Sequence, residues 1–85
     1  MRFSIIIPAY NAEDHIKKAL DSITEQTFKD YELIVVCDSC KDETESIARS
    51  YGAKVIPVDY GNDGLTRSRG LDEAVGEWVL FMDDD

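Results

Sequence analysis

Residues 31–42 read Tyr31-Glu32-Leu33-Ile34-Val35-Val36-Cys37-Asp38-Ser39-Cys40-Lys41-Asp42. Leu33 to Cys37 is an unbroken apolar run rich in β-branched side chains, so both faces of the strand it forms are greasy. Strands of that kind lie in parallel sheets covered by helices on both sides. Polarity then changes abruptly at Asp38, where such a strand (Tyr31 to Cys37) ends.

The same grammar extends in both directions. Upstream, Phe3 to Ile7 is an apolar strand, and Pro8, which has no N–H, is expected to end its ladder. Asn11 is placed to cap the following helix, with Asp14 in the capping-box position three residues on. Ile16, Ala19, Leu20 and Ile23 then form a stripe at helical period. Downstream, a helix is expected from Asp42, with Thr44, Ile47, Ala48 and Tyr51 on one face and Gly52 as its left-handed stop. Lys54 to Val58 is a third strand, Asp59 to Gly64 a polar loop, Leu65 to Val75 a third helix closed by Gly76, and Glu77 to Met82 a fourth strand. The order β-α-β-α-β-α-β predicts an α/β fold, a parallel sheet of about four strands with helices on both faces. Ligands of such sheets bind beyond the carboxyl ends of the strands, where strand order reverses.

Composition bounds the function. Eighty-five residues with 44% hydrophobic and 32% charged content suit one small domain with a thin core. No apolar run approaches the ~20 residues of a membrane span, and the N-terminus is too short for a signal peptide, so a cytosolic protein is expected. The net charge of −9 excludes a nucleic-acid partner, whose phosphates need a basic face. It leaves a nucleotide open, because a bound divalent cation reverses the local sign. Two cysteines fit a reducing compartment.

Unusual polar residues gather at the strand ends: Tyr10 and Asn11 after the first, Asp38 after the second, Asp59 after the third, and Asp83-Asp84-Asp85 after the fourth. Carboxylates from three strand ends are expected to converge on one crevice. The Asp run reads either as a solvated tail or as hard oxygen ligands for Mg²⁺ or Mn²⁺. If the strand geometry persists, Asp83 and Asp85 share a side and Asp84 points away. Asp38 reads as a helix cap or as an acceptor for a base or ribose edge. Arg67 shares a helical stripe with Leu71 and Ala74 and is expected to face the sheet and its crevice, as a salt-bridge partner or a phosphate ligand, with Arg69 solvated on the other side. Cys37-Asp38-Ser39-Cys40 is a C-x-x-C between strand and helix, which admits a thiol-disulfide reading, although Cys37 also suits a buried apolar site.

Five segments in order resemble the N-terminal, donor-binding half of a family 2 (GT-A type) glycosyltransferase. They are Ser4-Ile5-Ile6-Ile7-Pro8-Ala9-Tyr10-Asn11; Ala19 to Thr27; Tyr31 to Thr44, similar to E-I-I-V-V-D-D-G-S-x-D-x-T; Gly64 to Gly70 with Ala74 to Trp78; and Phe81-Met82-Asp83-Asp84-Asp85, similar to the D-x-D metal motif. The sequence departs from the family pattern at Cys37 (usually acidic or Asn), Ser39 (Gly) and Ser68 (Asn).

The resemblance implies a Rossmann-like GT-A half and inverting transfer of a sugar from a nucleotide-sugar donor, UDP-sugar foremost, to a saccharide or lipid-linked acceptor, as in cell-wall or polysaccharide biosynthesis. It further implies that Pro8, Tyr10, Asn11, Asp38, Arg67 and Asp83 line the nucleotide site, with Asp38 accepting from the base. Asp83 and Asp85 would hold the divalent cation, Mn²⁺ or Mg²⁺. Residues 1–85 are then expected to be a donor-binding part ending after the D-x-D motif, with the general base further along the chain, inactive alone, in the cytoplasm or at the inner face of the membrane. The alternative from another class is a non-catalytic, nucleotide-binding fragment that self-associates as a homodimer through an exposed sheet edge.

Overall fold

The computed structural model describes residues 2–27 and 29–84. Seven elements alternate along the chain: β1 (Phe3–Ala9), α1 (Ile16–Thr24), β2 (Tyr31–Asp38), α2 (Thr44–Ser50), β3 (Lys54–Val58), α3 (Asp63–Glu73) and β4 (Trp78–Phe81). All strand pairings are parallel, in the spatial order β3-β2-β1-β4. Successive strands step outward from β1 to β3, and the chain then returns to place β4 on the other side of β1. That reversal opens a crevice above the ends of β1 and β4.

The apolar runs do what their two greasy faces require. Ile5, Ile7 and Ala9 of β1 and Leu33, Val35 and Cys37 of β2 meet Ile16, Leu20 and Ile23 of α1 and Ala48 of α2 on one face. Ile6, Ile34, Val36 and Ile56 form the smaller core on the other. Each fully buried Ile, Leu or Val stabilises the fold by roughly 1.5–3 kcal/mol. The α1 stripe is buried as its period predicts.

The opposite face is closed differently. Helix α3 buries Thr66 and Gly70, not the Arg67–Leu71–Ala74 stripe, and Leu71 is half exposed. The reason is close approach: a Cβ on Gly70 would lie 2.5 Å from Ile6 Cγ2 and 3.2 Å from Val36 Cγ2. A helix seated through a glycine carries no apolar mark at its contact point, so hydrophobic periodicity selects the wrong face. Arg67 is therefore exposed, and Arg69 is half-buried, donating to Glu73 Oε1 at 2.7 Å.

Two other local expectations are corrected. Pro8 does not end β1, which stays in register with β2 through Ala9. The carbonyls of Arg2 and Ile6 accept from Trp78 N–H in β4 and from Met82 N–H just past it, so alternation turns Pro8 to that same side. There the β1–β4 ladder is already over, so the missing N–H breaks no pairing between these two strands. Asn11 does not cap α1. The helix starts at Ile16 without a side-chain cap, and Asn11, at φ 41°, accepts instead from Lys41 N–H at 2.7 Å.

Similarly, α2 begins at Thr44, because Asp42 turns its carboxylate onto the Thr44 N–H at 3.0 Å and the Glu13 N–H at 3.1 Å. The buried Thr44 hydroxyl accepts from Ala12 N–H at 2.8 Å. These bonds lash the β1–α1 loop to the β2–α2 loop. The far end of the sheet has its own fastening: Val75 N–H donates to Glu32 Oε2 at 2.7 Å, and Gly76 N–H to the buried Ser4 Oγ at 2.8 Å. Among the described residues, no helix is long and apolar enough to cross a membrane.

Candidate functional site

A cavity of about 930 Å³ lies at the switch point. It is lined by Pro8, Ala9 and Tyr10 after β1, Asp38 and Ser39 after β2, Asp83 and Asp84 after β4, and Gly61, Asn62, Asp63, Thr66 and Arg67 at the start of α3. Parallel strands deliver these groups together because their carboxyl ends all lie on one edge. Of the residues expected there, Pro8, Tyr10, Asp38, Arg67 and Asp83 line it. Asn11 does not, since it faces Lys41 as described, and Asp85 lies outside the described residues. Asp59 also stays away: its carboxylate accepts from the Ser39 hydroxyl. The third acidic contribution comes from Asp63 instead.

Beyond Phe81 the β4 geometry ends, and with it the alternation that would point Asp84 away. Asp84 turns inward, and its Oδ2 accepts from the Tyr10 N–H at 3.2 Å. This bond ties the Asp run to the end of β1 and leaves Asp83 exposed in the cavity. Tyr10, 65% exposed, stands at the rim with its ring uncommitted to the core.

Asp38 is 7% exposed, and its oxygens are occupied from within the chain. Oδ1 accepts from Tyr60 N–H at 2.8 Å and Gly61 N–H at 3.0 Å. Oδ2 accepts from Asn62 N–H at 3.1 Å and the Thr66 hydroxyl at 3.0 Å. Asn62 then caps α3 through a 2.9 Å bond from Leu65 N–H. The expectation of a free acceptor for a base thus meets a carboxylate whose roughly four lone-pair sites are filled.

These donors, the Gly61 N–H foremost, lower the Asp38 pKa from 3.8 to about 2. Because the folded value lies below the unfolded one, the carboxylate adds stability above pH 3.8, and that contribution fades as pH falls toward about 2. Urea denaturation across this window should therefore show a flatter dependence of stability on pH in Asp38→Asn than in the wild type. Parallel curves would refute the assignment.

The cavity wall carries Asp38, Asp63, Asp83 and Asp84 against one cation, Arg67, among the described residues. Arg67 has no ion-pair partner among the described residues, whose four salt bridges lie elsewhere. An oxygen-only donor set suits a hard divalent cation. No cluster of three metal-ligating side chains is preassembled among the described residues. Asp63, Asn62, Gly61 and Thr66 escaped the sequence reading because α3 was expected from Leu65, whereas Asn62 before Asp63 is itself an N-cap signal that marks the earlier start.

Within the C-x-x-C segment, Cys37 does not have the character of a reactive thiol. Burial, with Cys40 beside it, pushes the Cys37 thiol well above its ordinary range, opposite to what a nucleophilic cysteine needs. Cys40 Sγ lies 3.5 Å from the Ala9 carbonyl oxygen, and both cysteines are free.

The profile of glycosyl transferase family 2 matches residues 4–85. The chain belongs to this family. An uncharacterised glycosyltransferase of Rickettsia prowazekii is 40% identical over 84 residues, covering 96% of this chain and 26% of that protein. The crystal structure of Staphylococcus aureus TarS 1–349 in complex with UDP-GlcNAc superposes with a TM-score of 0.94 at 38% identity, covering 100% of this chain and 27% of the other. A mannosyltransferase from Pyrobaculum calidifontis, in complex with GDP-Man and Mn²⁺, gives a TM-score of 0.91 at 26% identity, with 99% and 27% covered. The chain thus spans about a quarter of the length of these relatives. The architecture is the Rossmann-like GT-A fold of the family 2 glycosyltransferases.

Proposed function

We propose that residues 1–85 form the donor site of a glycosyltransferase that moves a sugar, with inversion, from a nucleoside diphosphate sugar to a saccharide or lipid-linked acceptor. A UDP-sugar is the preferred donor in this reading, supported by the likeness to TarS in its UDP-GlcNAc complex. One observation carries it: Arg67, without an ion-pair partner among the described residues, lines a cavity that also carries Asp38, Asp63, Asp83 and Asp84, at the switch point of a parallel sheet. A guanidinium there offsets part of the acidic repulsion toward an anionic diphosphate and offers a planar fork for one of its oxygen pairs.

Tyr10 would flank the base or sugar, Pro8 would close the floor, and Asp83 would reach the ribose. Asp83 with Asp85 would hold Mn²⁺ or Mg²⁺, which when bound neutralises the diphosphate leaving group. The likeness to a Mn²⁺-bound mannosyltransferase supports that choice. A cytoplasmic setting, or the inner face of a membrane, accompanies the reading and agrees with the two free cysteines.

Calorimetric titration with UDP, GDP and their sugars tests it. Binding should require Mn²⁺, and Asp83→Ala or Asp85→Ala should weaken it by about tenfold or more. Equal binding in EDTA, or none at all, would overturn the proposal. Sedimentation of the same samples addresses the alternative of a self-associating fragment. Edge strand β4 leaves Trp78, Leu80 and Phe81 exposed, so dimers without nucleotide binding would favour it.

A further inference from the structure

We infer that Asn11, although it stands outside the cavity, serves donor binding as a positioning residue, because its bond to the Lys41 N–H fixes the backbone from which Tyr10 lines the nucleotide site. The inference rests on the donor-site reading of the cavity.

Three consecutive residues of the β1–α1 loop are pinned to the β2–α2 loop. Asn11 Oδ1 accepts from the Lys41 N–H at 2.7 Å, Ala12 N–H donates to Thr44 Oγ1 at 2.8 Å, and Glu13 N–H donates to Asp42 Oδ2 at 3.1 Å. On the other side, the β1–β2 ladder runs as far as the pair Ala9 and Cys37. Tyr10 is the single residue between these two fixed stretches. Its N–H donates to Asp84 Oδ2 at 3.2 Å, and its side chain, 65% exposed, lines the cavity and stays out of the core. An aromatic face held at that rim by its backbone suits stacking on a base or packing against a sugar.

Of the three cross-loop bonds, the one made by Asn11 is nearest to Tyr10. Asn11 makes it at φ 41°, in the left-handed region that Asn tolerates better than most residues carrying a Cβ. The side-chain bond and the backbone turn therefore support each other, and together they set the direction of the chain just past Tyr10. Alanine at this position has neither the acceptor oxygen nor the tolerance for a positive φ. The loop would then lose its bond nearest Tyr10, and the ring would lose its fixed direction. In the sequence Asn11 reads as a helix cap or as a cavity residue, and it is neither.

Titration of the chain with UDP in the presence of Mn²⁺ tests this as a double-mutant cycle. Asn11→Ala should weaken UDP by about tenfold, and Tyr10→Ala by at least as much. In the Tyr10→Ala background, Asn11→Ala should cost no more than about twofold, since the ring through which it acts is gone. The Tyr10 N–H bond to Asp84 survives in that background, but it is long and exposed and contributes little. Asn11→Asp, which keeps an acceptor oxygen and tolerates the left-handed region, should stay within about threefold of wild type. Asn11→Gly, which adopts a positive φ freely but carries no acceptor, should lose affinity as alanine does. Circular dichroism at the titration temperature separates loss of fold from loss of binding. In the wild type, the Lys41 amide should exchange at least about tenfold more slowly than in an unstructured chain, a readout that needs no variant.

Additive losses in the two alanine variants would show that Asn11 acts by a route other than Tyr10 and overturn the inference. Wild-type affinity in Asn11→Ala, Asn11→Gly or Tyr10→Ala, or an unprotected Lys41 amide, would overturn it as well. A wild-type chain that binds no UDP with Mn²⁺ overturns the donor-site reading and the positioning role together. Wild-type binding of UDP with additive losses overturns the positioning role alone, so the two failures are distinguishable.

Discussion

Gly76→Ala is expected to lower the stability of this domain by about 2–3 kcal/mol, the usual range for forcing a methyl group into filled space. A Cβ at this position would lie 2.7 Å from both the Phe3 carbonyl carbon and the Ser4 nitrogen. Those atoms are backbone of the central strand β1, so no rotamer change relieves the clash. The shift needed would also strain the Gly76 N–H bond to Ser4 Oγ at 2.8 Å and the neighbouring Val75 N–H bond to Glu32 at 2.7 Å, which seat β4 beside β1. In a domain of this size the loss corresponds to a fall in Tm of roughly 10–20 °C. Thermal unfolding followed by circular dichroism checks it, and a Tm within about 3 °C of wild type would show that the α3–β4 turn adapts freely.

The second large effect falls on binding. Arg67→Ala should weaken UDP by about 10- to 100-fold, the worth of a charge-assisted contact to a diphosphate. Uridine, which has no phosphate, should bind the variant and the wild type alike. Arg67→Lys should recover part of the loss, since it keeps the charge and loses the fork. The fold should not suffer, because Arg67 is exposed and has no ion-pair partner among the described residues. Equal losses for uridine and UDP would place Arg67 at the nucleoside or in the fold, and an unchanged UDP affinity would remove it from the site.

The contrast between these residues shows what a linear reading can reach. Strand β2 was legible because an apolar run admits only a doubly covered strand, and Ile16, Ala19, Leu20 and Ile23 were legible because only one face of a helix repeats at that period. Both signals are hydrophobic, and both are buried. The helix facing the other side of the sheet was misjudged because its contact is Gly70, whose value lies in the absence of a side chain. The Asp run was placed at a strand end, but its side-chain directions were not, since alternation holds only while the strand does. The loop expected from Asp59 to Gly64 concealed the start of α3, because a short turn and a helix cap use the same residues, Asn, Asp and Gly.

The sequence by itself determined the alternation of strands and helices, the parallel sheet, the family, and the clustering of polar groups at strand carboxyl ends. Those follow from periodicity and from motifs in order, which are properties of neighbours along the chain. Only the tertiary structure decided which polar groups face the cavity and which are consumed in building it. Asn11 and Asp38 both follow a strand end in the sequence, yet Asn11 fastens one loop to another away from the cavity, while Asp38 lines it and also accepts from backbone amides 22 to 24 residues away. Whether a side chain is free for a ligand depends on donors brought to it from elsewhere in the fold, and that information is absent from any single stretch of chain.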